Sequence, residues 1–195
     1  MSLRSPQSEL LDRLTDSRVL VVGDLMLDCY YWGDVRRISP EAPVPIVKVN
    51  SKSFVLGGAG NVAANLSALG CQVTVVALLG KDTAADQVRA LMAADAIDDA
   101  CIVDIGRPTI TKTRIMADKQ QVVRLDEEDG NRIADKLLDR LGNAVDEALA
   151  SAQAVILSDY GKGLFASFDW IQSIIQACRN IGVPVFIDPK GRTWE

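Results

Sequence analysis

The 195-residue sequence contains no histidine. That removes Ser-His-Asp triads and the common zinc sites, so any general base has to be a carboxylate or a lysine. Cysteine is scarce. Cys29, Cys71, Cys101 and Cys178 are scattered without a C-x-x-C pair, which fits reduced, mostly buried thiols of a cytoplasmic protein better than disulfides or a metal site. No apolar run reaches transmembrane length, and Met1 to Asp16 mixes charges with leucines where a signal peptide would need a hydrophobic block. An excess of positive charge is also missing: the net charge of −5 argues against nucleic acid or a membrane as partner, while leaving room for a local basic pocket. There is no G-x-x-x-x-G-K-[ST] string, so a P-loop is not expected. What is present, 48% hydrophobic and 24% charged residues, is the balance of a globular protein of one domain or one and a half.

The stretch around which the rest is organised runs from Leu56 to Leu66, LGGAGNVAANL. Gly57, Gly58 and Gly60 allow a sharp turn and let a ligand approach the backbone. Ala59, Val62, Ala63, Leu66 and Leu69 follow with helical spacing, and Gly70 is a natural stop. The free amides that open such a helix suit an oxygen-rich ligand, and Asn61 lies in that first turn, on one face with Asn65. A plain turn before a buried helix is the competing reading. Gly58 to Ala63 also fits the G-x-G-x-x-A dinucleotide fingerprint, with Asp82 as a ribose-binding acid. That fingerprint normally follows the first strand of its fold, and here the strand at Val19–Val22 has already passed.

Ser8–Leu14 reads as a short leading helix. Continuous apolar runs at Arg18–Val22, Val73–Leu79, Ala154–Leu157 and Val185–Ile187 suit fully buried strands. Between them, Asp82 or Thr83 can cap a helix with Val88, Leu91 and Met92 inside. Ile133, Leu137, Leu138, Leu141, Val145 and Leu149 trace a long amphipathic helix, and Trp170–Ile181 forms another, ended by Gly182 and Pro184. Glu127, Glu128 and Asp129 just before the long helix suit its positive end, with a solvated acidic turn as the fuller account. Two stretches break the alternation. Residues 30–54 carry Pro40, Pro43 and Pro45, and residues 101–125 are rich in β-branched residues; together they are expected to form one small side sheet. The expected fold is α/β, a parallel sheet with helices on both faces plus this small sheet.

Polar clusters sit at the strand exits: Asp24 and Asp28 after the first strand, Ser158 to Gly163 with Asp159 and Lys162, and Asp188 to Arg192 with Lys190. Strand exits of a parallel sheet converge on one edge, where these carboxylates can accept from sugar hydroxyls and these lysines can neutralise phosphate. A turn or capping aspartate is the bland alternative for Asp24, and a surface turn for each cluster taken singly.

With these motifs the chain resembles the ribokinase or PfkB family of carbohydrate kinases. Val22 to Asp28 (VGDLMLD), Arg37 to Pro45 (RISPEAPVP), Ser158 to Gly163 and Asp188 to Gly191 resemble the branch that phosphorylates D-glycero-β-D-manno-heptose 7-phosphate at O1 on the route to ADP-heptose and the lipopolysaccharide core. Asn61 stands one residue closer to the glycine pair than in typical ribokinases, a shortening that this branch shares. The resemblance implies ribokinase-like topology, ATP with Mg2+ as cofactors, no metal site within this stretch, a lid formed by the side sheet, and a homodimer through that lid. It assigns Asp28 to the sugar hydroxyls, Gly57 and Gly58 to the surface under the sugar, and Asn61 to a contact with it, with Asp24 as a subgroup feature. It places Asp159, Lys162, Asp188 and Lys190 near the phosphates. Lys112, Arg114 and Arg124 on the second excursion are candidates for the sugar's own 7-phosphate; charges that merely solubilise a sheet edge are the alternative. The family's catalytic aspartate lies in a late G-A-G-D motif that these 195 residues do not contain. The expectation is therefore roughly the first three-fifths of a kinase domain, 1–195, holding sugar but not transferring phosphate by itself. Another sugar or nucleoside kinase of the family, and a non-catalytic sugar-phosphate-binding or dimerisation module, are the alternatives.

Overall fold

A computed structural model describes residues 14–15, 17–117 and 119–190. The helix expected over Ser8–Leu14 lies, apart from Leu14, outside the described residues, as do Gly191 and Arg192. The main sheet has five strands in the order β11-β10-β1-β4-β6: β1 Arg18–Gly23, β4 Gln72–Val76, β6 Ile97–Asp99, β10 Ala154–Ser158 and β11 Val185–Asp188. All four pairings are parallel. Alternation along the central strand sorts its side chains into two cores. Val19 and Val21 pack on one face with α1 Ala59–Ala68 and α2 Thr83–Ala94, through Ala63, Val88 and Met92. Leu20 and Val22 pack on the other with α3 Asp135–Leu149 and α4 Phe168–Ile181, through Leu141, Val145, Trp170 and Ile174. Each large aliphatic side chain buried in this way contributes about 1.5–3 kcal/mol. This is the expected α/β architecture, except that β11, expected as a fully buried strand, is largely exposed at Phe186 and Ile187 because it is the outer strand of the sheet among the described residues.

The side sheet is real and has four strands in the order β3-β2-β8-β9: β2 Leu25–Ile38, β3 Pro45–Gly58, β8 Thr111–Ala117 and β9 Gln120–Glu127. Its bounds differ from those expected. The two long strands begin at Leu25 and end at Gly58 because their base is core: Leu25, Leu27, Cys29 and Leu56 are all buried. The second excursion contributes only from Thr111 onward. Ile102–Val103 (β7) instead pairs with Leu78–Leu79 (β5) in a separate two-stranded ladder. The strand expected over Val73–Leu79 is accordingly interrupted at Ala77. Across from this break, in the gap between Asp99 at the end of β6 and Ile102 at the start of β7, the Asp99 carboxylate accepts the Cys101 amide at 2.8 Å.

Asp82 is a structural clasp. One carboxylate oxygen caps α2 by accepting the Ala85 amide at 2.8 Å, and the other accepts the Thr109 amide at 2.8 Å. The Thr109 hydroxyl in turn accepts the Gly80 amide at 2.9 Å. The aspartate that could have served a dinucleotide fingerprint thus ties the entry of β8 to the start of α2.

Candidate active site

Chain order reverses beside β1. From β1 the chain travels through the side sheet and α1 to β4 on one flank, and only later reaches β10 on the other. Such a switch point opens a crevice at the carboxyl ends of the strands. Gly23, Asp24 and the turn after Ser158 stand there.

Asp24 holds the crevice together. Its amide donates to the Ser158 carbonyl at 3.1 Å, and its own carbonyl accepts the Ala59 amide, the first of α1, at 3.0 Å. Its buried carboxylate accepts the amides of Tyr160 at 2.9 Å and Lys162 at 3.0 Å. One residue therefore joins the end of β1, the glycine corner and the turn after β10. Burial raises the Asp24 pKa above its usual value, against the opposing pull of the Lys162 and Tyr160 amides. A carboxyl raised on folding binds more protons in the native than in the unfolded state between its two pKa values. It therefore favours the fold at low pH, and that contribution is lost as pH rises through the folded value. Asp24→Asn keeps an acceptor for both amides and loses the titration. We expect wild type to lose urea stability relative to the variant as pH is raised from about 3.5 to 7. Parallel curves for the two proteins across that range would contradict this.

The glycine pair closes β3 against β2. Gly57 pairs with Met26 and Gly58 with Leu25. A Cβ on Gly57 would lie 2.7 Å from Asp28 Oδ2, so the bare glycine lets the Asp28 carboxylate lie against the backbone. The other oxygen, Oδ1, accepts from Arg114 Nη1 at 2.6 Å. Arg114 also lies over the Tyr30 ring at 5.1 Å, and Tyr30 stacks on Trp32 with centroids 6.0 Å apart. Burial works to lower the Arg114 pKa, but the hydrogen bond and charge of Asp28 outweigh it and leave it raised. Asn61 is exposed on the first turn of α1.

Register explains why these groups meet. Asp28 lies opposite Lys112, Tyr30 opposite Arg114, Lys112 opposite Asp126, and Arg114 opposite Arg124. With a period of two, all share one face of the side sheet, while Leu27, Cys29 and Leu56 face the core. Arg114 directly across from Arg124 is a like-charge pair, which by itself destabilises a sheet. The two avoid each other by turning to different acids, Arg114 to Asp28 and Arg124 to Asp126 at 2.8 and 3.0 Å. Lys112 reaches Asp126 at 2.9 Å and lies 3.8 Å from Glu128.

The strand-end groups divide. Asp24 and Lys162 border a small cavity of about 20 Å³ together with Arg107 and Asp129. Asp159 is engaged by backbone, accepting the Gly161 amide at 2.7 Å and the Lys190 amide at 3.3 Å. Lys190 lies over Tyr160 at 5.8 Å, and Asp188 is exposed at the end of β11. The acidic turn is not simply solvated. Glu128 binds Lys162 at 2.6 Å, and Asp129 lies 3.8 Å from Arg107, whose guanidinium also donates to the Asn131 carbonyl at 2.9 Å. No motif marks Asp126, Glu128 or Arg107 as part of a site. Counting back without interruption from the Ala117–Gln120 pair would put Lys112 opposite Leu125; the irregularity between Ile115 and Met116 shifts the register so that Lys112 meets Asp126, which no sequence pattern announces. Nothing local marks Glu128, whose partner Lys162 is 34 residues away.

D-beta-D-heptose 7-phosphate kinase of Bordetella bronchiseptica is 42% identical over 184 residues, 94% of this chain and 57% of that protein. The bifunctional protein HldE of Methylobacillus flagellatus is 46% identical over 178 residues, 90% of this chain and 36% of its own length. The chain thus spans between about a third and three-fifths of these relatives. Among solved structures, phosphofructokinase-2 from Escherichia coli, in its tetrameric inhibited form, superposes with a TM-score of 0.67 at 17% identity, over 90% of this chain and 55% of that one. A carbohydrate kinase from Agrobacterium tumefaciens gives 0.64 at 20% identity, over 88% and 53%. At such identities these two speak for the fold alone. The sequence pattern described as pfkB family carbohydrate kinase matches residues 16–193, and the chain belongs to that family.

Proposed function

We propose that the chain is the sugar-binding part of an ATP-dependent kinase that phosphorylates heptose 7-phosphate at O1, in a cytoplasmic route to ADP-heptose and the lipopolysaccharide core. The observation that carries this reading is the face of the side sheet. Asp28 and the bare backbone of Gly57 adjoin Arg114, and Lys112 and Arg124 lie on the same face. Asp28 beside Arg114, with Lys112 and Arg124 gathered around Asp126, matches a ligand with hydroxyls at one end and a phosphate at the other. The opposed Arg114 and Arg124, costly in an ordinary sheet, acquire a reason if a dianion is to come between them.

In this reading Asp28 and Asn61 orient the sugar over the glycine corner, and the aromatic shelf of Tyr30 and Trp32 flanks it. Lys112, Arg114 and Arg124 hold the 7-phosphate. ATP supplies the phosphoryl group, and the side of the crevice bearing Asp159, Lys162, Asp188 and Lys190 faces it. Among the described residues no group of three or more His, Cys, Asp or Glu is placed to hold a metal ion, so Mg2+ has no assigned ligand here. The side sheet serves as lid and as the contact of a homodimer. No helix among the described residues is long and apolar enough to cross a membrane.

The test compares heptose 7-phosphate with unphosphorylated heptose in wild type, Arg114→Ala and Lys112→Ala. A charged hydrogen bond is worth about 1.5–3 kcal/mol, so each variant is expected to lose roughly tenfold or more in affinity for the phosphorylated sugar. The unphosphorylated sugar should be affected less. Equal losses on both sugars, or none, would reject the phosphate cradle.

A further inference from the structure

We propose that Asp126 is a built-in stand-in for the substrate's phosphate: its carboxylate occupies the anion position between Lys112 and Arg124, and only a ligand that brings its own anion displaces it. The inference rests on the cradle proposed above. Its basis is the way Asp126 is held. Oδ1 accepts from Arg124 Nε at 2.8 Å and Oδ2 from Arg124 Nη2 at 3.0 Å, the fork that a guanidinium offers to carboxylate and phosphate alike. The same Oδ2 accepts from Lys112 Nζ at 2.9 Å. The hydrogen bond from Lys112, with those from Arg124, holds the Asp126 carboxyl below its usual pKa, so it is an anion at neutral pH.

Two further features make the contact exchangeable. The Asp126 and Arg124 side chains are 25% and 50% exposed, and pairs open to water are worth little. Lys112 keeps Glu128 at 3.8 Å, and Glu128 is anchored from the other side by Lys162 at 2.6 Å. Lys112 therefore stays in place when Asp126 swings away. A neutral sugar has nothing to offer Lys112 and Arg124 in exchange and leaves the Asp126 contacts intact. A phosphate monoester brings two charges to the same donors. Asp126 is in this way a specificity-determining residue that never touches the reacting hydroxyl.

The experiment titrates the chain with inorganic phosphate, heptose 7-phosphate and unphosphorylated heptose. Asp126→Asn and Asp126→Ser are compared with wild type, with Arg114→Ala as reference and thermal melting as the check of folding. Removing one like charge about 4 Å from the incoming anion is expected to tighten inorganic phosphate and heptose 7-phosphate about fivefold in both Asp126 variants, with unphosphorylated heptose unchanged. Weaker or unchanged phosphate binding in the folded variants, alongside a wild type that still prefers the phosphorylated sugar and an Arg114→Ala that does not, overturns the stand-in and leaves the cradle standing. If wild type shows no preference for the phosphorylated sugar, the cradle fails and the stand-in with it. Should both Asp126 variants fail to fold, the Arg124 Nε–H resonance of wild type decides: it must shift on addition of inorganic phosphate, and a resonance that stays put overturns the proposal.

Discussion

Gly58→Ala is expected to lower the melting temperature by roughly 6–12 °C, from about 3 kcal/mol of lost stability at 2–4 °C per kcal/mol for a protein of this size. Two costs add. Gly58 has φ 56° and ψ −131° at the N-cap of α1, a conformation that residues with a Cβ rarely adopt. Strain of this kind costs on the order of 1–3 kcal/mol. The new methyl would also collide with the Asp24 carbonyl oxygen, the acceptor of the Ala59 amide at 3.0 Å, and overpacking costs about 1–3 kcal/mol more. Against a total stability of about 5–15 kcal/mol this is a large fraction. The damage falls on the site as well, because the same carbonyl sets the start of α1, and sugar affinity should fall with stability. Gly182→Ala is the control. Gly182 has φ 72°, but a methyl added there would meet nothing within 4 Å, so it carries only the backbone cost of about 1 kcal/mol. If Gly58→Ala melts no lower than Gly182→Ala, the corner is softer than its contacts imply.

Asp28→Asn is expected to weaken heptose 7-phosphate by roughly tenfold or more, since charged hydrogen bonds to sugar hydroxyls are worth about 1.5–3 kcal/mol, while ATP binding changes far less. Asp28 stands where both ends of the proposed ligand meet: Oδ2 over Gly57, Oδ1 on Arg114 at 2.6 Å. An amide leaves the shape but removes the charge that holds Arg114. Combining Asp28→Asn with Arg114→Ala separates the roles. Strong coupling on heptose 7-phosphate but not on unphosphorylated heptose would mean that Asp28 acts by steering Arg114. A direct sugar contact predicts that Asp28→Asn hurts both sugars. Unchanged affinity for either sugar in a folded Asp28→Asn protein would reduce Asp28 to a strut between two strands.

Much of the site can be read along the chain because its parts are local. The glycines at 57 and 58 precede their helix immediately, and the apolar runs at Val19–Val22 and Ala154–Leu157 are continuous because parallel strands are covered on both faces. Alternation alone puts Lys112 and Arg114 on one face, as the ladder bears out. The bounds of the side sheet are not legible in the same way. The far ends of β2 and β3 and the connection between them carry the prolines and polar residues that signal a change of character, whereas Leu25, Leu27, Cys29 and Leu56 look like core because they are core.

The sequence by itself determined the two-sided α/β layering, the glycine corner and the family, since each depends on side-chain type at short spacing. Only the tertiary structure decided which carboxylates are taken up by backbone amides. Asp24, Asp82 and Asp159 could each be read from the sequence as a site acid or as a turn or cap residue, and folding commits them to backbone amides, at Tyr160 and Lys162, at Ala85 and Thr109, and at Gly161 and Lys190. Asp28 meets a side chain instead, 86 positions away. The physical reason is that a turn's unpaired amides must find acceptors once water is excluded, and which acid stands nearest depends on how distant strands are laid side by side.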